Sequence, residues 1–296
     1  VGAAFAVLDD RVRLTAGRYS RRTRDALLFS RGYTPWGFLP RLIRGDVSNV
    51  GFEATLDGTV ATFGRARWSA ALSAATNRNR IESLEAPAQA LLGPAGPPQA
   101  FAVGYPLGGF WGREFTYADA NGDGVIGPSE VSSPATERYL GSPMPTRMLA
   151  LRNEITIGAR YVIRVRVEHL GGHKRFNALA RSRCNLAVCP DAVDRRTPLG
   201  RQAQIYSQDG APYLEDASFT KLREVSLSVK APQPWANLLS GERLTFTISG
   251  RDLVTWSSYR GFDPETNTAR TFAYASADQG EIPRLPTYNA RIDVAW

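Results

Sequence analysis

The chain is poor in the residues that usually announce chemistry: 296 residues hold two cysteines, two histidines, two methionines and three lysines. Two cysteines exclude a small protein stapled by a disulfide framework. No G-x-S-x-G elbow, catalytic Cys/His pair or phosphate-binding loop is present, and no carboxylate pair has a context that fits acid–base work, so no enzyme is expected. Long apolar runs are missing too. The longest uncharged stretch, Ala86 to Gly112, contains Pro87, Pro94, Pro97, Pro98 and Pro106 and cannot form one spanning helix. A mean hydropathy of -0.26 excludes a helical membrane bundle. No basic-then-apolar start is seen, so no signal peptide is expected, and an opening at Val1 points to a processed or truncated product.

What is present is apolar surface and arginine. Hydrophobic residues make up 43% of the chain, which excludes wholesale disorder. The net charge is +8, and with only Lys174, Lys221 and Lys230 as lysines, the 36 basic residues leave 33 arginines. An arginine-biased composition is preferred over a basic binding surface, and no nucleic-acid partner is expected.

Alternation is common and helical periodicity nearly absent. Tyr288, Ala290, Ile292, Val294 and Trp296 share one face, with Asn289, Arg291 and Asp293 on the other. Similar alternation runs through Val12–Ala16, Phe52–Val60, Trp68–Ala74, Tyr161–Val167, Val225–Val229 and Leu244–Ile248. The segment from Met148 to Ile157 alternates poorly. The fold class is all-β.

Connections decide between a soluble sandwich and a membrane barrel. Short joins fall at Asp9-Asp10, Gly58 to Gly64, Gly158-Ala159 and Ala231 to Gly241. Long joins run from about Leu28 to Val47, Asn77 to Pro145, Gly171 to Asp216, and Val254 to Pro286. Short and long alternate without a lapse, as in a transmembrane barrel with turns on one membrane face and long loops on the other. The expectation is an antiparallel transmembrane β-barrel segment of about nine strands, with short periplasmic turns and long extracellular loops. Val1 to Leu8 is the first strand and Tyr288 to Trp296 the last. Bacterial single-chain barrels normally have an even count, so earlier strands are expected to be missing, and residues 1–296 are read as the C-terminal portion of a larger barrel.

Several stretches resemble one family, the SusC/RagA-like TonB-linked outer-membrane proteins. Tyr19 to Leu28 looks like its Y-x-R-x-T-x-D-x-L strand end, and Asn49 to Leu56 like its N-x-G-x-E-x-x-L strand. Asp119 to Ile126 is similar to D-x-N-G-D-G-x-I, followed by Leu140 to Pro145. Asp216 to Arg223 resembles D-x-S-F-x-R-L, with Lys221 in place of the usual arginine. Asp252-Leu253 to Glu265 resembles N-L-x-x-x-T-x-Y-x-G-x-D-P-E, with Asp252 in place of asparagine. The resemblance implies a barrel of about 22 strands in the bacterial outer membrane. It implies import of oligosaccharides or peptides, a SusD-like lipoprotein as cap, and energy from TonB. The family's N-terminal plug and TonB-contacting segment are absent from these residues. Two rival readings are a structural membrane subunit that does not transport and a secreted, calcium-stabilised β binding module.

Within the long join 77–145, Asp119 to Glu130 matches D-x-[DN]-x-[DN]-G-x₅-E without gaps. Ca²⁺ takes six to eight hard oxygens, and Asp119, Asn121, Asp123, the Val125 carbonyl and Glu130 stand at the ligand positions, with Gly124 at the sharp turn. A structural calcium ion is expected; the alternative is an Asp/Gly-rich turn. The overlapping G-x-G-x-x-G of Gly122, Gly124 and Gly127 is rejected as a dinucleotide site, because Asp123 would face the pyrophosphate and no βαβ pattern surrounds it. Cys184 and Cys189, five residues apart in one long join, are expected to form a disulfide; the rival is zinc held with His169 and His173. Tyr161, Tyr288, Trp68 and Trp296 are candidates for aromatic girdles. Arg164, Arg166, Arg243 and Arg291 would point into the lumen, where pairing with Glu168, Glu224 and Asp293 is preferred over selection of an anionic solute.

Overall fold

Alternating side chains put one face of each strand in a different medium from the other, and nine such strands form one sheet. In the computed structural model these are β1 (Gly2–Val7), β2 (Val12–Thr34), β3 (Gly37–Phe63), β4 (Ala66–Leu84), β5 (Arg147–Ile157), β6 (Tyr161–Gly171), β7 (Phe219–Lys230), β8 (Arg243–Ser257) and β9 (Thr287–Ala295). The structure describes every residue except 10, 35–36, 86–88, 91–97, 208–210 and 268–275, together with all side chains but those of 30–34, 37–41, 89–90 and 192–193. Asp10 of the first short join, and Pro87, Pro94 and Pro97, therefore lie outside the described residues. Each strand pairs antiparallel with its neighbours in sequence, giving an up-and-down meander.

Register aligns the apolar residues into continuous rows. Phe5, Leu14, Leu56, Leu72, Leu151, Val167, Leu222 and Val254 stand opposite one another across eight strands. Trp68, Ile155, Ile163, Leu227, Ile248 and Ala290 make a parallel row. Most of these side chains are exposed, Leu56 by 47% and Ile248 by 66%, and Ile163, Val167 and Leu222 are half-buried. A water-soluble sheet would bury such rows; a barrel turns them to lipid. The opposite face carries Arg13, Asp57, Arg152, Arg166, Glu224 and Arg251 in one row.

β5 alternates after all. Leu149, Leu151, Ile155 and Ile157 point outward, and the one polar member of that face, Asn153, accepts a hydrogen bond from the Trp68 indole at 3.1 Å. Sequence hid the pattern because Met148 and Ala150 on the inner face are also apolar. Several strands outrun their alternation: β2 and β3 continue their ladder to Thr34 and Gly37, across most of the expected Leu28–Val47 join. Where its side chains are described, the inner face of this stretch packs on a loop. Leu28, Ile43, Val47 and Ile81 form a dry cluster with Phe101, so both faces lose their contrast.

The join Ala231 to Gly241 is a turn of helix, α1 (Gln233–Asn237), rather than a tight turn. It packs Ala236 over Leu244 on the outer face and stacks Trp235 edge-on to Phe246. Trp296 lies beside it, its indole donating to the Leu239 carbonyl at 3.2 Å. Trp68, Tyr161, Tyr288 and Trp296 all stand on the outer face and are exposed.

Candidate functional site at the long-join end

The long joins fold together. Phe110 from the β4–β5 join, Phe176, Cys184, Cys189, Tyr213 and Leu214 from the β6–β7 join, and Ala277 from the β8–β9 join share one buried core. Gln99, 1% exposed, ties the first and third joins: its amide donates to the Gly108 carbonyl at 2.6 Å, and its oxygen accepts from Ser276 N at 3.1 Å. This layer sits at the end of the sheet opposite the short joins, where a lumen would open.

An ionic clamp fixes the layer to the sheet. Arg223 is an extra residue in β7, and both ladders shift register beside it, which turns Arg223 and Lys221 to the inner face. Lys221 Nζ donates to both Asp263 carboxylate oxygens at 2.9 Å and to Glu265 at 2.8 Å. Arg223 donates to Glu168 at 2.7 Å, to Asp252 at 2.9 Å, and to Glu265 in a two-pronged pair at 2.9 and 2.7 Å. Asp252, in the opposing bulge, has φ +51°, a backbone conformation open to asparagine and aspartate. Burial pushes the Glu265 carboxyl up, but the bonds from Arg223 and Lys221 outweigh it and hold it at about 2. Two cations thus meet four carboxylates, and they join the two motifs around Lys221 and Glu265 physically. Sequence exposed both motifs but gave no sign that they touch.

Among the expected lumen arginines, Arg164 pairs with Glu154 at 2.7 Å, Arg166 with Glu168, and Arg291 with Asp293 at 2.9 Å. Glu224 takes Arg251 at 3.4 Å instead. Arg243 has no ion pair among the described residues.

The acidic loop is wound as its spacing implies. Asp119 accepts from the backbone of Gly122, Asp123 and Gly124, and Asp123 from Val125. Gly122 and Gly124 hold φ of +71° and +75°, which only glycine adopts freely. Glu130 returns to the loop start, accepting from Ala120 N at 2.9 Å and Gly127 N at 2.8 Å. The donors are hard oxygens of the right class for Ca²⁺. Their carboxylates nonetheless point at amides, and among the described residues no three His, Cys, Asp or Glu side chains are gathered for a metal. The loop's base is a two-residue ladder, Thr116–Tyr117 with Val131–Ser132. Its far side is gripped by Gln202, which accepts from Ile126 N at 2.9 Å and donates to Thr197 O at 2.8 Å. No sequence signal marked Gln202.

Cys184 and Cys189 are joined in a disulfide. The two histidines stand apart from it: His169 is on the outer face of β6 against Thr220, while His173 is buried. Burial, then the nearby Arg175 charge, lowers the His173 imidazole to about 4.

No family model matches the chain. TonB-dependent receptor P3 of Formosa agariphila is 21% identical to it over 350 residues, covering 100% of the chain and 33% of that receptor. TonB-dependent receptor P26 of the same organism is 23% identical over 304 residues, covering 88% and 30%. Among solved structures, the RagAB peptide transporter superposes with a TM-score of 0.78 at 18% identity, over 99% of the chain and 34% of its counterpart. The RagAB peptide importer in its open-open state gives 0.73 at 19%, over 100% and 34%. The fold is that of a transmembrane β-barrel wall. The chain is similar in sequence to TonB-dependent receptors over 88–100% of its length and in fold to the RagAB transporter, and it spans about a third of the length of the relatives it matches.

Proposed function

We propose that this chain is a section of the barrel wall of an outer-membrane importer that takes up oligosaccharides or peptides. The short joins face the periplasm and the loop layer faces outside, with residues 77–145 as its largest piece. Energy reaches the receptor from TonB through parts of the protein outside this chain, and a SusD-like lipoprotein caps the loop layer. One observation carries the reading. From the row Ala16, Ala54, Ala74, Leu149 to the short-join end, the outer face holds no Asp, Glu, Lys or Arg among the described residues, while the inner face is crowded with them. Eight residue steps from Leu149 to Ile157 span about 27 Å along the strand, which at a tilt of about 40° is close to the apolar band of such barrels. The inner polar face and the rigid loop layer suit passage of a polar solute. The reading as a secreted module fails to explain why these apolar rows are exposed.

Tags placed in the full receptor test the orientation. One near Gly158 is expected to be hidden on intact cells and one near Gly200 labelled. Labelling at both, or the reverse order, contradicts the reading.

A further inference from the structure

Directly beyond the lipid-facing rows, on the same face, the side chains change from apolar to basic within one step. The last uncharged row across β2 to β5 is Ala16, Ala54, Ala74 and Leu149; the next is Arg18, Phe52, Thr76 and Arg147. The row after it holds Ser20, Val50 and Arg78, and the third holds Arg22, Ser48 and Arg80. Acids enter only at the third row. There Arg22 pairs with Asp46 at 2.8 Å, and Glu82 takes Ser48 at 2.5 Å and Arg80 at 3.9 Å. Arg18, Arg78 and Arg147 are exposed and have no ion pair among the described residues.

We propose that Arg18, Arg78 and Arg147 form a binding site for the phosphorylated headgroup of an outer-leaflet glycolipid. Three strand spacings of about 4.8 Å put Arg18 and Arg147 roughly 14 Å apart, with Arg78 between them one row higher. The patch floor is Phe52, Val50 and Thr76, with Phe52 49% exposed. A guanidinium offers phosphate two parallel donors, and this chain uses arginine at all three positions. The site is continuous with the lipid-facing band, so its ligand is a membrane lipid whose acyl chains lie on Leu149, Leu151 and Leu72 while its phosphates lie on the arginines. The inference rests on the barrel orientation given above.

The test uses the full receptor in detergent, with lipid A as probe and dephosphorylated lipid A as control. Retained lipid is counted by native mass spectrometry. Wild type should retain lipid A over its dephosphorylated form, and the triple variant R18Q/R78Q/R147Q should bind at least about 10-fold more weakly, the loss of about one charge-assisted bond. Equal retention of the two lipids, equal binding by the triple variant, or displacement by millimolar inorganic phosphate would overturn the site. Heat-dependent gel mobility reports whether the variant is folded. Should it not fold, salt titration of the wild type decides: retention must fall as salt rises, and salt-independent retention contradicts the proposal. A receptor with the tag order given above but no phosphate preference refutes this site alone; a reversed tag order refutes the orientation.

Discussion

Lys221 has its side chain only 2% exposed, and Asp263 and Glu265 close around its ammonium group. Removing a partner from a buried pair usually costs 3–5 kcal/mol. Since Glu265 would remain, Asp263→Asn is expected near the lower end, about 3 kcal/mol, felt as release of the segment around 259–267 while the sheet holds. Hydrogen exchange resolved by segment checks this; unchanged protection there would show that the clamp is idle. Two groups contribute to the pH response of the same layer. The His173 imidazole, near 4 in the fold against an ordinary 6.5, stays neutral while the unfolded chain takes up a proton, so stability falls as pH drops from about 6.5 to 4. Glu265, near 2 against 4.5, adds stability that is complete above about 4.5 and is lost as pH falls toward 2. Exchange of the loop layer should therefore quicken in two stages on acidification. A flat profile between pH 6.5 and 4 would remove His173 from the account. The motif residues Tyr19 and Gly51 also gain a physical reason: the tyrosine ring lies across Gly51, where a Cβ would come within 2.3 Å of its hydroxyl, and that hydroxyl donates to Asn77 at 3.1 Å.

At the scale of elements, two loops invite direct tests. The disulfide closes a short loop after the helix Ala178–Asn185, whose first turn is capped by the Asn177 side chain accepting from Ala180 N at 2.9 Å. Loop-closure entropy for so few residues is about 2 kcal/mol, so Cys184→Ser should open residues 178–204 to protease without unfolding the barrel. Non-reducing peptide mapping of the wild type should recover Cys184 linked to Cys189. For the acidic loop we propose that Ca²⁺, held by Asp119, Asn121, Asp123, the Val125 carbonyl and Glu130, orders the long join. Weak affinity, on the order of 10⁻⁴–10⁻³ M, suffices outside a cell. Glu130→Gln should raise cleavage between Pro106 and Arg138, and chelator should do the same to the wild type. An unchanged wild-type pattern with chelator would make the motif a hydrogen-bonded turn. Elements that meet lipid on one face and polar groups on the other were legible, β6 and β9 above all, because period-two contrast survives there. Those with protein on the inner face were not: Leu28, Ile43 and Val47 pack with Phe101 of the β4–β5 join, and the contrast disappears there. The helical turn at Gln233–Asn237 was hidden by two prolines and its shortness. In the candidate site, Lys221 and Glu265 could be seen as motif residues, but their contact spans 44 residues and only the folded chain reveals it.

For the whole molecule, the nine-strand meander is one wall with two solvents. Its outer rows explain the exposed leucines and isoleucines, its inner face the paired arginines, and its loop layer the buried cores at one end. Composition excluded only a helical membrane bundle and left this wall open, because a wall one residue thick needs only every second side chain to be apolar. The exchange of faces along β5 tests this most directly. In the full receptor, reconstituted in lipid, single cysteines from Leu149 to Ile157 would carry spin labels, and collision with oxygen, which concentrates in lipid, would be compared with collision with a water-soluble nickel complex. The account predicts oxygen-favoured labels at 149, 151, 155 and 157 and nickel-favoured labels at 150, 152, 154 and 156. Equal accessibility along the strand, or the opposite phase, would contradict it.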